Sequence, residues 1–309
     1  MTLAVLRGPL ERDAMLIGDL ETLGSQGPVA LITAGWEEAE RNDSALDRSL
    51  GGGARNLGLY GRRLDVYETD AEYAAASRAH AARVAAAQDM YRVRLRHAIA
   101  AVHEVQRANL TSRRALGTEV DAAIRDVRTL DDAHLNLLRS MRGEFNEQFP
   151  PEDRDVIVAH RLAVRAVLEE CGAVVVAGGH VTALVKCMLL CDVVSALAER
   201  PYIAISSGAL ALSGRVLVVD DNDAGQRPAE VVSEGCGVLQ GATPIPDALH
   251  RLRLEDAQHL SQLARRCAPH ACVLLDTGDR VVCDDSVPRL DGARVIALDG
   301  GVTPVAQAA

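Results

Sequence analysis

The chain has 309 residues and a formal net charge of −10 at pH 7; 48% of its residues are hydrophobic and only 3% are aromatic. Such a chain lacks the clustered basic charge and the stacking surfaces that hold nucleic acids, so nucleic acid is not an expected partner. No run approaches the roughly 20 consecutive apolar residues that cross a bilayer, so we expect no membrane partner either.

Short apolar runs bounded by Gly or Asp predict buried parallel strands, and helical patterns lie between several of them. This alternation is typical of a doubly wound α/β domain with helices on both faces of a mainly parallel sheet. We therefore expect one α/β domain over residues 1–309. The predicted strands are 29–33, 173–177, 202–206, 215–219, 271–275, 280–283 and 294–298. The predicted helices beside them are 11–23, 181–198 and 254–267.

Residues 70–146 interrupt this alternation. Apolar residues recur there at helical spacing on two successive stripes, one through Tyr91 and Leu95 and one through Ile124 and Val127. The pattern predicts two long helices that form a hairpin inserted into the α/β domain. Its apolar face must cover either the sheet or a second subunit, so a homodimer stays open.

The cysteines and the first ten residues indicate in which cellular compartment the protein is expected. The seven cysteines include no CxxC pair, which favours buried free thiols in a reducing, cytoplasmic setting. The first ten residues have no basic start and only a short apolar run, so a secretion signal is not predicted. The acidic run 220–223 lacks the glutamate that closes a calcium loop, so we expect no metal.

The most informative stretch surrounds Ser206. A predicted strand ends at this serine, and the small residues Ser207, Gly208 and Ala209 follow before a predicted helix. A nucleophile elbow needs this arrangement, because large side chains would clash at the tight strand-to-helix turn. Ala204 replaces the first glycine of the usual Gly-x-Ser-x-Gly pattern. A plain strand end with an incidental Ser-Ser-Gly turn is therefore the alternative.

A second strand end carries the turn Gly178-Gly179-His180. Neighbouring turns of this kind build a crevice at the carboxyl edge of a parallel sheet. We expect the Gly178–Gly179 main chain and the N–H of Ser207 to donate to a substrate oxyanion. His180 is placed to contact substrate or to act in catalysis.

A serine nucleophile also needs a base and a group that orients the base. His259 falls within a helical pattern and is expected at the surface, and His270 lies just before a strand. His250 follows an irregular stretch from which a loop could bring an imidazole to the crevice. The candidate orienting carboxylates are Asp220, Asp221 and Asp223.

These pieces, in this order, resemble the serine-peptidase family that contains peptidase E and cyanophycinase. Residues 29–36 are similar to the family's first core strand and turn, and residues 177–180 to its Gly-Gly-Asn or Gly-Gly-Asp turn. Residues 206–209 resemble its Ser-Ala-Gly-Ala nucleophile turn. Residues 235–239 and 274–278 resemble elements of the cyanophycinase branch.

The resemblance implies a class I glutamine amidotransferase-like fold and a Ser-His-Asp triad. Ser206 would be the nucleophile, His250 the base and Asp221 the favoured orienting acid. The implied reaction is hydrolysis of a peptide or isopeptide bond beside an acidic residue, in a peptide or an aspartyl-containing small substrate, and it requires no cofactor.

The sequence departs from the family pattern at three places. Ser207 stands where the family has Ala, and His180 where it has Asn, Asp or Gln. Ala248 rather than His250 could occupy the position of the family histidine, which would break the triad. The alternative function is then a non-catalytic protein that binds a small metabolite or a protein partner through the same crevice.

Overall fold

The computed structural model describes residues 2–108, 113–221 and 228–304, apart from the side chains of residues 113–115. The strands are β1 (Leu3–Arg7), β2 (Val29–Ile32), β3 (Arg55–Asn56), β4 (Ala173–Val176), β5 (Tyr202–Ile205), β6 (Arg215–Val218), β7 (Glu230–Glu234), β8 (Ala242–Pro246), β9 (Ala271–Leu275), β10 (Arg280–Asp284), β11 (Val287–Pro288), β12 (Arg294–Ile296) and β13 (Val302–Pro304).

The α-helices are α1 (Ile17–Thr22), α2 (Ser44–Ser49), α3 (Leu59–Thr69), α4 (Ala71–Arg107), α5 (Arg113–Gln148), α6 (Asp155–Glu169), α7 (Val181–Leu190), α8 (Val194–Glu199), α9 (Ser207–Leu212), α10 (Ala248–Arg251) and α11 (Ala257–Cys267). Short 3-10 helices span Ala34–Ala39 and Pro151–Asp153. Of the helices described, none is long and apolar enough to cross a membrane. All seven cysteines are free thiols, and all but Cys236 are buried.

A seven-stranded sheet with the order β11-β10-β1-β5-β4-β2-β3 forms the centre of the fold. The five strands from β1 to β3 in this order are mutually parallel, and β10 and β11 add an antiparallel edge. Every residue of β2, β4 and β5 is buried, as expected for strands covered on both faces. The chain is therefore a mixed α/β protein with a mostly parallel central sheet.

The sequence predicted one sheet, whereas the described chain forms three. Strand β9 joins β8, β12 and β13 in a four-stranded sheet, and β6 pairs with β7 alone. Strand β8 escaped prediction because Pro244 and Pro246 normally argue against a strand. The two prolines are tolerated because β8 is the edge strand of its sheet. Strand β10, expected to be parallel, pairs antiparallel with β1.

The two long helices α4 and α5 pack against each other as an antiparallel pair, with Tyr91 bonded to Asp131 and Gln88 to His134. Their apolar stripes lie against the two smaller sheets and α11 of the same chain. The hairpin face that the sequence left open is thus covered within the chain. Residues of this shared cluster include Tyr91, Leu95, Ile124, Val127, Leu217, Val231, Ile245, Leu263 and Leu274.

A buried polar network fixes how the helix pair sits on the smaller sheets. Arg266 of α11 donates to both carboxylate oxygens of Asp131 at 2.7 and 2.8 Å, and these side chains are 5% and 0% exposed. Arg266 also donates to the Ala229 carbonyl and to the Tyr91 hydroxyl. The Tyr91 ring stacks on His134 with centroids 4.1 Å apart. Because buried charges need partners, this network favours the observed position of α11 against the long helices.

Candidate active site

Ser206 lies on the turn between β5 and α9, with φ 53° and ψ −125°. This backbone conformation is unfavourable for any residue with a Cβ and persists only where surrounding contacts enforce it. One such contact is the hydrogen bond from Ser206 N–H to the Arg7 carbonyl, at 2.8 Å. A serine held in a strained strand-to-helix turn is the geometry of a nucleophile elbow.

The Gly178–Gly179 turn lies beside Ser206. The Ser207 hydroxyl donates to the Gly179 carbonyl at 2.8 Å. A Cβ added to Gly178 would lie 3.3 Å from the Ser206 Cβ, so glycine allows this close approach. Within the described residues, the N–H groups of Gly178 and Gly179 have no hydrogen-bond acceptor. Two unpaired donors next to a serine hydroxyl are suited to stabilise an oxyanion.

His180 follows this turn and is 61% exposed. Its N–H donates to the Gly35 carbonyl at 2.7 Å, which joins the turns after β2 and β4. Its Nδ1 accepts from the Ala183 N–H at 3.3 Å and so caps α7. In the neutral ring the hydrogen must then be on Nε2. His180 can therefore donate to a substrate, but it is not set up to take a proton through Nε2.

Glu37 lies 3.8 Å from His180, measured from its Oε1 to the imidazole Nδ1. Its main chain has φ 55° and ψ −122°, almost the same conformation as that of Ser206. Two residues in this strained conformation thus lie near the glycine turn, Ser206 directly after β5 and Glu37 within the 3-10 helix that follows β2. Strain of this kind concentrates at functional sites.

A crevice of about 410 Å³ opens beside Ser206, Gly178 and Gly179. Trp36 lines one side, and the segment after β1 contributes Arg12. The Arg12 side chain makes no hydrogen bond or ion pair with the residues that the structure describes. Arg12 was not predicted from the sequence, because its place in the crevice depends on how the segment after β1 folds over the sheet edge.

His250 is paired with Asp247, the residue that directly follows β8. The imidazole Nδ1 lies 2.7 Å from Asp247 Oδ1, and the His250 side chain is 81% exposed. This hydrogen bond and the Asp247 charge raise the pKa of His250. With Nδ1–H donating to the carboxylate, the lone pair of the neutral imidazole is on Nε2. Asp247 was not among the residues predicted from the sequence, although its spacing of three residues from His250 was a usable signal.

Asp221 does not contact His250, which corrects the expected pairing. Its Oδ1 lies 3.0 Å from Nε2 of His259, although the ring N–H does not point well at the oxygen. Its Oδ2 accepts from the Arg253 N–H at 3.2 Å. Burial raises the pKa of Asp221, but His259 and Arg253 outweigh it, so the pKa lies below its usual value. His259, expected at the surface, is 23% exposed.

Asp220 and Asp223 are the other two candidate carboxylates. Asp220 is exposed just after β6, and Asp223 lies outside the described residues. Asp247 is a carboxylate that the structure shows in contact with His250.

Contacts near Asp276 connect His250 to the region of Ser206. The Leu249 N–H donates to Asp276 Oδ1 at 2.8 Å. Gly8 packs so closely on Asp276 that an added Cβ would lie 1.8 Å from its carbonyl oxygen. The preceding residue, Arg7, accepts the Ser206 N–H. Ser206 and His250 thus follow strands that end at one region of the molecule, but His250 does not line the crevice.

Comparisons with known proteins show a distant likeness in structure. No protein-family model matches the sequence, and no curated protein matches it either. Among solved structures, the chain is similar to the crystal structure of a peptidase from an acI-B1 Actinobacterium, with a TM-score of 0.45 and 12% identity. That match covers 96% of this chain and 87% of the other. A likeness of this size does not identify an activity.

Proposed function

We propose that this protein is a serine hydrolase with Ser206 as its nucleophile. The observation that carries the proposal is the strained conformation of Ser206 on the β5–α9 turn, beside the unpaired N–H groups of Gly178 and Gly179. Strain at a non-glycine residue costs about 1–3 kcal/mol and is retained where function requires the geometry. A structural turn could use glycine at this position without that cost.

In the proposed reaction the Ser206 hydroxyl attacks a carbonyl carbon as His250 Nε2 takes its proton. The oxyanion that forms accepts hydrogen bonds from the glycine-turn N–H groups and from the N–H of Ser207. Protonated His250 then gives its proton to the leaving amine, and water hydrolyses the acyl-serine by the same sequence. Asp247 holds the imidazole in the tautomer that this sequence needs. Asp247 thus takes the role that the sequence analysis gave to Asp221.

For the substrate we propose a peptide or isopeptide bond beside an acidic residue. Arg12 lines the crevice next to Glu11 and makes no hydrogen bond or ion pair with the described residues. It is suited to hold a carboxylate, because arginine binds carboxylates in a bidentate manner. His180, with its hydrogen on Nε2, supplies a further donor near the glycine turn. These groups support an acidic substrate, and together with the resemblance of the sequence motifs they favour the peptidase E and cyanophycinase type of hydrolase. A class I glutamine amidotransferase-like fold belongs to this finer form of the proposal.

A non-catalytic binding protein is the second candidate. It is favoured by one observation: His250 is 81% exposed and does not line the crevice beside Ser206. In this case the same crevice would hold a small acidic metabolite or a segment of a protein partner. Catalytic hydrogen bonds are often longer without substrate, so this arrangement is compatible with both candidates.

Labelling with a serine-reactive fluorophosphonate separates the two candidates. We expect the purified protein to be labelled, Ser206→Ala to lose the label, and Ser195→Ala, at an exposed serine of α8, to retain it. Equal labelling of all three would refute an activated Ser206. A labelled protein would next be tested on β-aspartyl and α-aspartyl dipeptides, with the matching asparaginyl dipeptides as neutral controls. No label and no hydrolysis would favour the binding protein.

A further inference from the structure

A second cavity, of about 350 Å³, lies between the long helices and α11. It shares no lining residue with the crevice at Ser206. Its volume is at the lower end of the range of about 300–1,000 Å³ for small-molecule sites. Nothing in the proposed hydrolytic mechanism uses it.

The floor of this cavity is apolar and belongs to the core. Ile99 and Val102 come from α4, Ile124 and Val127 from α5, and Leu263 from α11. All but Ile99 are at most 4% exposed. The floor is therefore rigid and suited to the apolar part of a ligand.

Charged groups surround the apolar floor. Arg96 of α4 and Arg253, which precedes α11, both line the cavity, and their guanidinium groups make no hydrogen bond or ion pair with described residues. Arg266 also lines it but is neutralised by Asp131 outside it. The carboxylate in the lining is Asp221, whose side chain is only 3% exposed.

Asp221 offsets only one of the two positive charges that Arg96 and Arg253 bring to the lining. Its Oδ1 lies 3.0 Å from His259 Nε2, and its Oδ2 accepts from the main-chain N–H of Arg253. Its charge also attracts the Arg253 guanidinium at longer range. Among the described lining residues, one carboxylate thus faces the two arginines Arg96 and Arg253. An apolar floor with a cationic side matches a ligand that has an apolar body and one negative group.

We propose that this cavity binds a small amphipathic monoanion, with its carboxylate on Arg96 and Arg253 and its apolar body on the floor formed by α4, α5 and α11. The site is independent of the reaction proposed for Ser206. Because the ligand touches both long helices and α11, its binding stabilises the packing of the helix pair on the smaller sheets.

Isothermal titration calorimetry of the full chain with decanoate tests this site, with decanol as the neutral analogue. We expect decanoate to bind with micromolar to millimolar affinity and decanol to bind at least about tenfold more weakly, because decanol lacks the charged hydrogen bonds. Arg96→Gln is expected to weaken decanoate binding about tenfold. Arg94→Gln is the control, since Arg94 is exposed on the same helix and lines no part of the cavity.

A filling variant tests the position of the apolar body. Ala100 lines the cavity and is exposed, so Ala100→Trp should fill the space without removing core contacts. We expect this variant to lose decanoate binding while its circular dichroism spectrum is unchanged. The proposal is overturned if decanoate does not bind, if decanol binds equally well, or if Arg96→Gln binds like the control. Binding retained by folded Ala100→Trp would also overturn it.

Discussion

Replacing Ser206 with glycine should stabilise the fold while removing the proposed nucleophile. The main chain at Ser206 has φ 53° and ψ −125°, where a Cβ is unfavourable. Relief of that strain is worth about 1–3 kcal/mol. Glycine loses about 0.4–1 kcal/mol of this gain because it makes the unfolded chain more flexible. We therefore expect the free energy of unfolding to rise by about 1 kcal/mol.

Ser206→Ala is the matched control, because it removes the hydroxyl and keeps the Cβ. Its unfolding free energy should stay within about 0.5 kcal/mol of the parent protein. The assay is urea unfolding followed by circular dichroism and by the fluorescence of Trp36, the chain's single tryptophan, which lines the same crevice. In a thermal scan the difference corresponds to about 2 °C.

The reasoning is refuted if Ser206→Gly unfolds at the same urea concentration as Ser206→Ala, or at a lower one. The turn would then carry no strain, and its conformation would say nothing about a nucleophile. Glu37 offers an independent repeat of the comparison, because its φ of 55° and ψ of −122° are nearly the same. Glu37→Gly should likewise be more stable than Glu37→Ala.

Three further predictions concern the base, the helix pair and the sheet edge. The hydrogen bond to Asp247 raises the pKa of His250 above about 6.5, so the acid limb of the kcat/KM profile should lie above that pH and shift downward in Asp247→Asn. The His250–Asp247 pair stabilises the fold at pH values below the pKa that His250 has in the unfolded chain, and this stabilisation is lost as the pH rises through the raised pKa of His250 in the folded protein. An acid limb that does not shift in Asp247→Asn would exclude His250 as the base. Asp131→Ala should lower the free energy of unfolding by about 3–5 kcal/mol, because it leaves the buried side chain of Arg266 unpaired. Arg83→Ala, which removes one partner of an exposed ion pair, should lower it by less than about 1 kcal/mol. Equal losses of the two variants in urea unfolding would contradict this prediction. Gly8→Ala would place a Cβ 1.8 Å from the Asp276 carbonyl oxygen. We expect it to lower the free energy of unfolding by about 1–3 kcal/mol and to reduce fluorophosphonate labelling of Ser206. Normal stability and normal labelling would show that the contact between Gly8 and Asp276 is dispensable.

Features that depend on adjacent residues were readable from the sequence. A run of buried β-branched residues followed by small residues predicted the strand ends before Gly178 and Ser206, and the structure has β4 and β5 ending there. The catalytic role of Ser206 stays a prediction. The helical spacing of Tyr91 and Ile124 predicted the two long helices, because each helix presents one apolar stripe at that period.

The pairing of distant residues was decided by the tertiary structure alone. The acid that follows β6, Asp221, reaches His259 of the neighbouring helix, while His250 finds its carboxylate in Asp247 only three residues away. The apolar stripes of the long helices are buried against the smaller sheets of the same chain, which the sequence alone did not decide. Local sequence determines where a strand or helix forms, because propensity and periodicity act over a few residues. Which strand ends meet depends on the order of strands in the sheet and on burial across the whole chain. No short sequence pattern encodes that order.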